Sequence, residues 1–93
     1  MIYDDDHYFM ASVLAEKLAN EGHQVVYVTP APEAAVWTHN TMEQGRIQAR
    51  LIDLGIELVL GKKIATISDE EVELSCIYSG TRSWIECATP VLV

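Results

Sequence analysis

The apolar residues of this 93-residue chain change period once, and that change limits what the chain can fold into. Up to Leu60, continuous apolar runs alternate with helical patterns; beyond it the spacing drops to two. Met1-Ile2-Tyr3 opens a short strand. From Tyr8 to Asn20, Met10, Val13, Leu14 and Leu18 recur at helical spacing, with Ala11 and Ala15 close to the same stripe. Gly22 provides the stop. Gln24 to Thr29 is a continuous β-branched and apolar run, which reads as a central parallel strand buried on both faces. Pro30-Ala31-Pro32 ends it, and Glu33 to His39 reads as loop with at most one turn. Thr41 with Gln44, or Asn40 with Glu43, offers a capping pair for a second helix. That helix carries Ile47, Leu51 and Leu54 on one face and ends at Gly55. Ile56 to Leu60 is a third strand.

The second half is a meander. Ile64 to Ile67, Glu71 to Tyr78 and Arg82 to Cys87 read as three antiparallel strands joined at Ser68-Asp69-Glu70 and Ser79-Gly80-Thr81. Val72, Leu74, Cys76 and Tyr78 alternate with Glu71, Glu73 and Ser75, so one face is buried and the other wet. Pro90 introduces Val91-Leu92-Val93, a strand able to rejoin the parallel sheet. The expected fold is a single Rossmann-like α/β domain over residues 1–93, in three layers. It has a parallel sheet, two crossover helices and a three-stranded antiparallel meander in place of the next crossover. That is the layout of the NAD(P)-binding domain of the glutathione-reductase type. The short first strand and the apolar end at Val93 suggest a fragment trimmed from a longer chain.

Charge narrows the partners. Acidic residues outnumber basic ones 14 to 6, for a formal charge of -8, which argues against nucleic acid and against anionic membranes. No apolar run approaches the roughly 20 residues of a membrane span, and acids at positions 4 to 6 interrupt any signal peptide. Cys76 and Cys87 have no metal-binding spacing, and both read as reduced thiols used as small hydrophobes in a cytoplasmic protein.

The turn after the first strand is where chemistry would sit. A dinucleotide-binding βαβ unit wants G-x-G-x-x-G there, so that the backbone can approach a pyrophosphate. Here Asp4-Asp5-Asp6-His7-Tyr8 runs on to Ala11 with no glycine. A ribose-binding acid is expected at the end of the second strand, and Thr29-Pro30 occupies that place. Asp6 is expected to cap the first helix where a phosphate would otherwise lie. No catalytic residue and no metal ligand is assigned. His7, His23 and His39 have no ligand spacing, and Thr38, Ser79 and Ser83 form no nucleophile–base set. Trp37 and Trp84 are expected to pack in the core or at an interface. A strand ending in three acids also suggests a receiver domain with an acidic Mg²⁺ site, although the third strand ends in Gly61-Lys62 and supplies no phosphoacceptor.

Asp6-His7-Tyr8-Phe9-Met10-Ala11, Leu14-Ala15-Glu16-Lys17-Leu18 and Gly22-His23-Gln24-Val25 resemble the C-terminal region of the trimethylamine, dimethylamine and histamine dehydrogenase family. Trp37-Thr38, Thr41, Glu43-Gln44 and Ile47-Gln48-Ala49-Arg50-Leu51 extend the resemblance. These are NADH:flavin oxidoreductases of the Old Yellow Enzyme group with a disulfide-reductase-like tail. The resemblance implies a parent with FMN and a [4Fe-4S] cluster, and with ADP or NAD(P)H as a further candidate. It implies the parent's remaining domains as partners, a homo-oligomeric parent and no cofactor in this part. It leads to a degenerate nucleotide-fold domain with a structural role and no catalysis of its own. The alternatives are a functional NAD(P)H-binding module of the same enzyme and the receiver domain.

Overall fold

Four parallel strands, in the order β3-β2-β1-β7, form the central sheet of the computed structural model. Residues 1–5, 7, 10–68, 70–86 and 90–93 are described, with the backbone alone at His39. The strands are β1 (Ile2–Tyr3), β2 (Val26–Thr29), β3 (Glu57–Leu60) and β7 (Val91–Leu92), and the first two connections carry helices α1 (Met10–Asn20) and α2 (Gln44–Asp53). Between β3 and β7 lies an antiparallel sheet of β4 (Lys62–Ile67), β5 (Glu71–Cys76) and β6 (Arg82–Glu86). A mixed α/β unit with these two sheets is what the change of period predicts. Among the described residues no helix is long and apolar enough to cross a membrane.

Strand alternation divides the core between the two faces of the parallel sheet. Ile2 and Tyr27 join Ala11, Ala15 and Leu51 on the helical side. Val28, with Tyr3, Val26 and Val59, meets Val72, Leu74, Ile64 and Ile85 of the antiparallel sheet. Side chains as fully buried as Leu74 and Leu51 each contribute about 1.5–3 kcal/mol through the apolar area they remove from water. β2 lies between β1 and β3, as expected of a continuous apolar run.

Several local expectations change. Met10 and Val13 are more than half exposed, and the face of α1 that meets the sheet is instead Ala11 and Ala15, flanked by Leu14 and Leu18. Small residues let the helix axis approach the strands, so the apolar stripe rotates toward the alanines. Neither capping pair forms at α2. Its N-cap is Glu43, which makes no side-chain capping bond. A 3₁₀ helix over Val36–Thr41 uses the Thr41 hydroxyl to donate to the Thr38 carbonyl, 3.1 Å, and Gln44 donates its amide to the Ala34 carbonyl, 2.9 Å. β5 stops at Cys76, so Tyr78 lies in the following turn and is exposed. Cys76 is half-buried and free, no longer a core hydrophobe. Trp37 and Trp84 are both about half exposed, so neither belongs to the core. The cap expected of Asp6, the first helical residues Tyr8 and Phe9, the Asp69 turn position and the Cys87 strand end lie outside the described residues.

Candidate functional site

The carboxyl ends of β1 and β2 meet at a loop that the chain closes upon itself. The Asp4 N–H donates to the Val28 carbonyl at 2.8 Å, extending the β1–β2 ladder by one step into the loop. This carries Asp4 into the interior, where it is fully buried. Its Oδ1 accepts the His7 N–H at 2.8 Å, and its Oδ2 accepts the hydroxyl of Tyr27, also fully buried. A buried carboxylate is tolerated only with such donors. The Tyr27 oxygen in turn accepts the Ala35 N–H at 3.2 Å. Two loops, one after each strand, are thereby joined through a single side-chain pair.

Thr29 makes the second connection. Its hydroxyl donates to the Asp4 carbonyl at 3.0 Å and accepts the Ala31 N–H at 3.2 Å. The His7 Nδ1 lies 3.5 Å from the same oxygen. Thr29 is fully buried, so the position that would hold a ribose acid is part of the loop's own hydrogen bonding. The His7 carbonyl accepts the Trp37 N–H at 2.6 Å, bringing the 3₁₀ helix against the first loop. His7 reaches this position with φ of 63°, in the left-handed region where a glycine would be the least strained residue.

The two described acids of this turn, Asp4 and Asp5, are not equivalent. Asp4 is interior, whereas Asp5 is exposed, with its N–H on the Val93 carbonyl at 3.1 Å and its carboxylate 3.6 Å from His7 Nε2. Asp5 acts at a distance on Tyr3, whose phenol is pushed above its usual range by burial first and by the Asp5 charge second. Ala11 packs in the helical core. His23 lies away from His7, in a groove with Met1, Leu18 and Val91. Among the described residues no group of three His, Cys, Asp or Glu could hold a metal ion.

Two further features lie away from the loop. A solvent-open cleft of about 280 Å³ separates α1 from α2, with Val13, Ile47 and Leu51 on its walls and the Glu16–Arg50 ion pair, 3.1 Å, at its rim. Cys76 ends β5 with its thiol brought down to about 7, chiefly by the Ser79 hydroxyl, then by the backbone N–H groups of Ser79 and Tyr78.

Sequence reasoning missed Tyr27. The available signal was a phenol inside the aliphatic run Val25-Val26-Tyr27-Val28: a buried tyrosine needs a partner for its hydroxyl, and Asp4 is the acceptor.

A parallel sheet with helices on one side, an antiparallel sheet on the other and a self-bonded loop at its strand ends defines a mixed α/β domain. Residues 1–90 match the family model of the OYE-like second alpha/beta domain, and the chain belongs to that family. It is similar to histamine dehydrogenase from Rhizobium sp. 4-9, at 44% identity and a TM-score of 0.96 over 99% of this chain and 14% of that one. The 6-hydroxypseudooxynicotine amine oxidase from Pseudomonas geniculata N1 is similar at 39% identity and a TM-score of 0.95, with 99% and 14% covered. NDH2 from Plasmodium falciparum, solved in complex with NADH, shares the fold at 4% identity and a TM-score of 0.82, covering 99% of this chain and 21% of that one. The chain thus spans about one seventh of the length of these first two relatives. Family membership replaces the receiver reading. The third strand leads through Gly61 directly into β4, with no crossover.

Proposed function

We propose that this chain is a Rossmann-like domain of the glutathione-reductase NAD(P)-binding type that has given up its nucleotide and serves a structural role in a larger flavoenzyme. The single domain spans residues 1–93 and packs against the remaining domains of a cytoplasmic, homo-oligomeric parent. That parent is a flavin-dependent oxidoreductase of the amine dehydrogenase kind, carrying FMN and a [4Fe-4S] cluster outside this segment. The reading draws on the similarity to histamine dehydrogenase and to an amine oxidase.

The observation that carries it is the engagement of Asp4. In a working dinucleotide site the loop's N–H groups and the first helix's N-terminal dipole point at a pyrophosphate. Here a carboxylate from the loop itself takes the His7 N–H, and the Tyr27 hydroxyl holds that carboxylate in place. An approaching phosphate would meet a buried negative charge and lose to an intramolecular competitor. The domain keeps the architecture because its packing still orders the neighbouring parts of the enzyme.

The test uses the purified flavoenzyme that contains this domain. Anaerobic mixing with a small primary amine is expected to bleach the flavin. Mixing with NADH or NADPH in place of the amine is expected to leave it oxidised. Flavin reduction by either nucleotide, abolished by substitutions at the ends of β1 and β2, would overturn the structural reading.

A further inference from the structure

The outer face of the antiparallel sheet carries more acids than cations, Glu71, Glu73 and Glu86 against Lys63 and Arg82. Val72 and Leu74 point inward and are fully buried, which fixes the parity of β5. Glu71 and Glu73 therefore share the outer face. On β6, Ile85 packs inward and Trp84 and Glu86 lie outward. The register pairs Glu73 with Trp84 and Glu71 directly with Glu86. Directly opposed residues on one sheet face have Cβ atoms about 4.5–5.5 Å apart, and like charges there are destabilising. Glu73 is neutralised by Arg82, whose Nη1 donates to its Oε1 at 2.9 Å. Neither Glu71 nor Glu86 has a cation among the described residues. Beside this pair Trp84 is 53% exposed on an otherwise polar face.

We infer that this face docks an arginine-bearing extended segment of another polypeptide. Tryptophan is among the side chains enriched at the energetic centres of interfaces, and its ring face attracts a guanidinium. Two opposed carboxylates next to it supply the complementary charge and a planar partner for the same group. β6 is the outer strand of its sheet among the described residues, so its free edge can align an extended chain alongside Trp84 and Glu86. A cation inserted between Glu71 and Glu86 removes their repulsion, so binding and local stability rise together.

The experiment titrates the isotopically labelled chain with an acetylated, amidated peptide of alternating glycine and arginine, followed by NMR. Saturable shifts below about 1 mM are expected at Glu71, Glu73, Trp84 and Glu86. Trp84→Ala, and separately Glu71→Gln with Glu86→Gln, are expected to weaken binding by about tenfold or more. Glu21→Gln with Asp53→Asn removes the same charge elsewhere and is expected to leave binding unchanged. Three results would overturn the inference. They are absence of saturation, equal weakening in the Glu21/Asp53 control (binding to net charge alone), or Trp84-dependent self-association in sedimentation (the face meets a second copy).

Discussion

The hydroxyl of Tyr27 donates to the carboxylate of Asp4, twenty-three positions away in sequence, with both side chains fully buried. This pair closes the first loop of the domain over the end of the parallel sheet. It ties Asp4 and His7, in a turn without glycine, to the second strand. The carboxylate gains two donors, and the phenol satisfies its own oxygen with the Ala35 N–H.

Removing either partner should therefore be costly, and the two losses should not add. Tyr27→Phe deprives Asp4 Oδ2 of this donor and the Ala35 N–H of its acceptor, an expected loss of about 1–3 kcal/mol. Asp4→Asn should fall in the same range. The double variant should differ from the sum by about 0.5–3 kcal/mol, as expected of residues in one network. Urea unfolding of the four proteins measures this. Strict additivity would show that the two side chains act independently.

Asp5 provides the contrast. Its carboxylate is exposed and 3.6 Å from His7 Nε2. Exposed pairs of this kind contribute about 0–1 kcal/mol, so Asp5→Ala should change stability little where Asp4→Ala is severely destabilising. Equal losses at the two positions would contradict the distinction between a buried and a solvated acid.

His7 occupies the left-handed region at φ 63°. His7→Gly relieves that strain but loosens the unfolded chain, so stability should stay within about 1 kcal/mol of the parent. His7→Val places a β-branched residue where φ is positive and should cost at least about 1–2 kcal/mol. Thermal unfolding checks the order of the two. A valine variant as stable as the glycine variant would mean that the loop readily adopts another conformation.

The order of elements was legible because apolar spacing reports the periods of helix and strand, and burial follows spacing. The switch from helical crossovers to an alternating meander predicts β4, β5 and β6 in order, although β4 begins two residues earlier, at Lys62, and β5 ends two earlier, at Cys76. On α1 the spacing places Leu14 and Leu18, with Ala11 and Ala15, toward the sheet, and only Met10 and Val13 of the expected stripe turn outward. The sheet selects for close approach, and only small side chains permit it. The site was half legible. The missing glycines of the turn and Thr29 at the end of the second strand are legible in the sequence. What holds the turn instead depended on a long-range partner, Tyr27, and on left-handed backbone at His7 and Ala35, neither of which has a local signature.

Cys76 should titrate unusually low. Its thiol is brought down to about 7 from an ordinary 9.0, first by the Ser79 hydroxyl. The folded value lies below the unfolded one, so this group stabilises the fold fully above the unfolded value. The contribution is lost as pH falls from about 9 through about 7. In a Cys87→Ser background, iodoacetamide alkylation of Cys76 should show a midpoint near 7. Ser79→Ala should move that midpoint upward and slow alkylation at neutral pH. An unmoved midpoint would assign the shift to another cause.

The central claim, that the loop's own carboxylate has taken the place of the dinucleotide, is tested most directly by titrating the labelled chain with NADH and with NADPH. Amide shifts report occupancy residue by residue. No saturable change is expected below about 1 mM at Asp4, His7, Ala11 or Thr29. Saturable shifts centred on those residues, together with loss of the Asp4–His7 hydrogen bond, would contradict it.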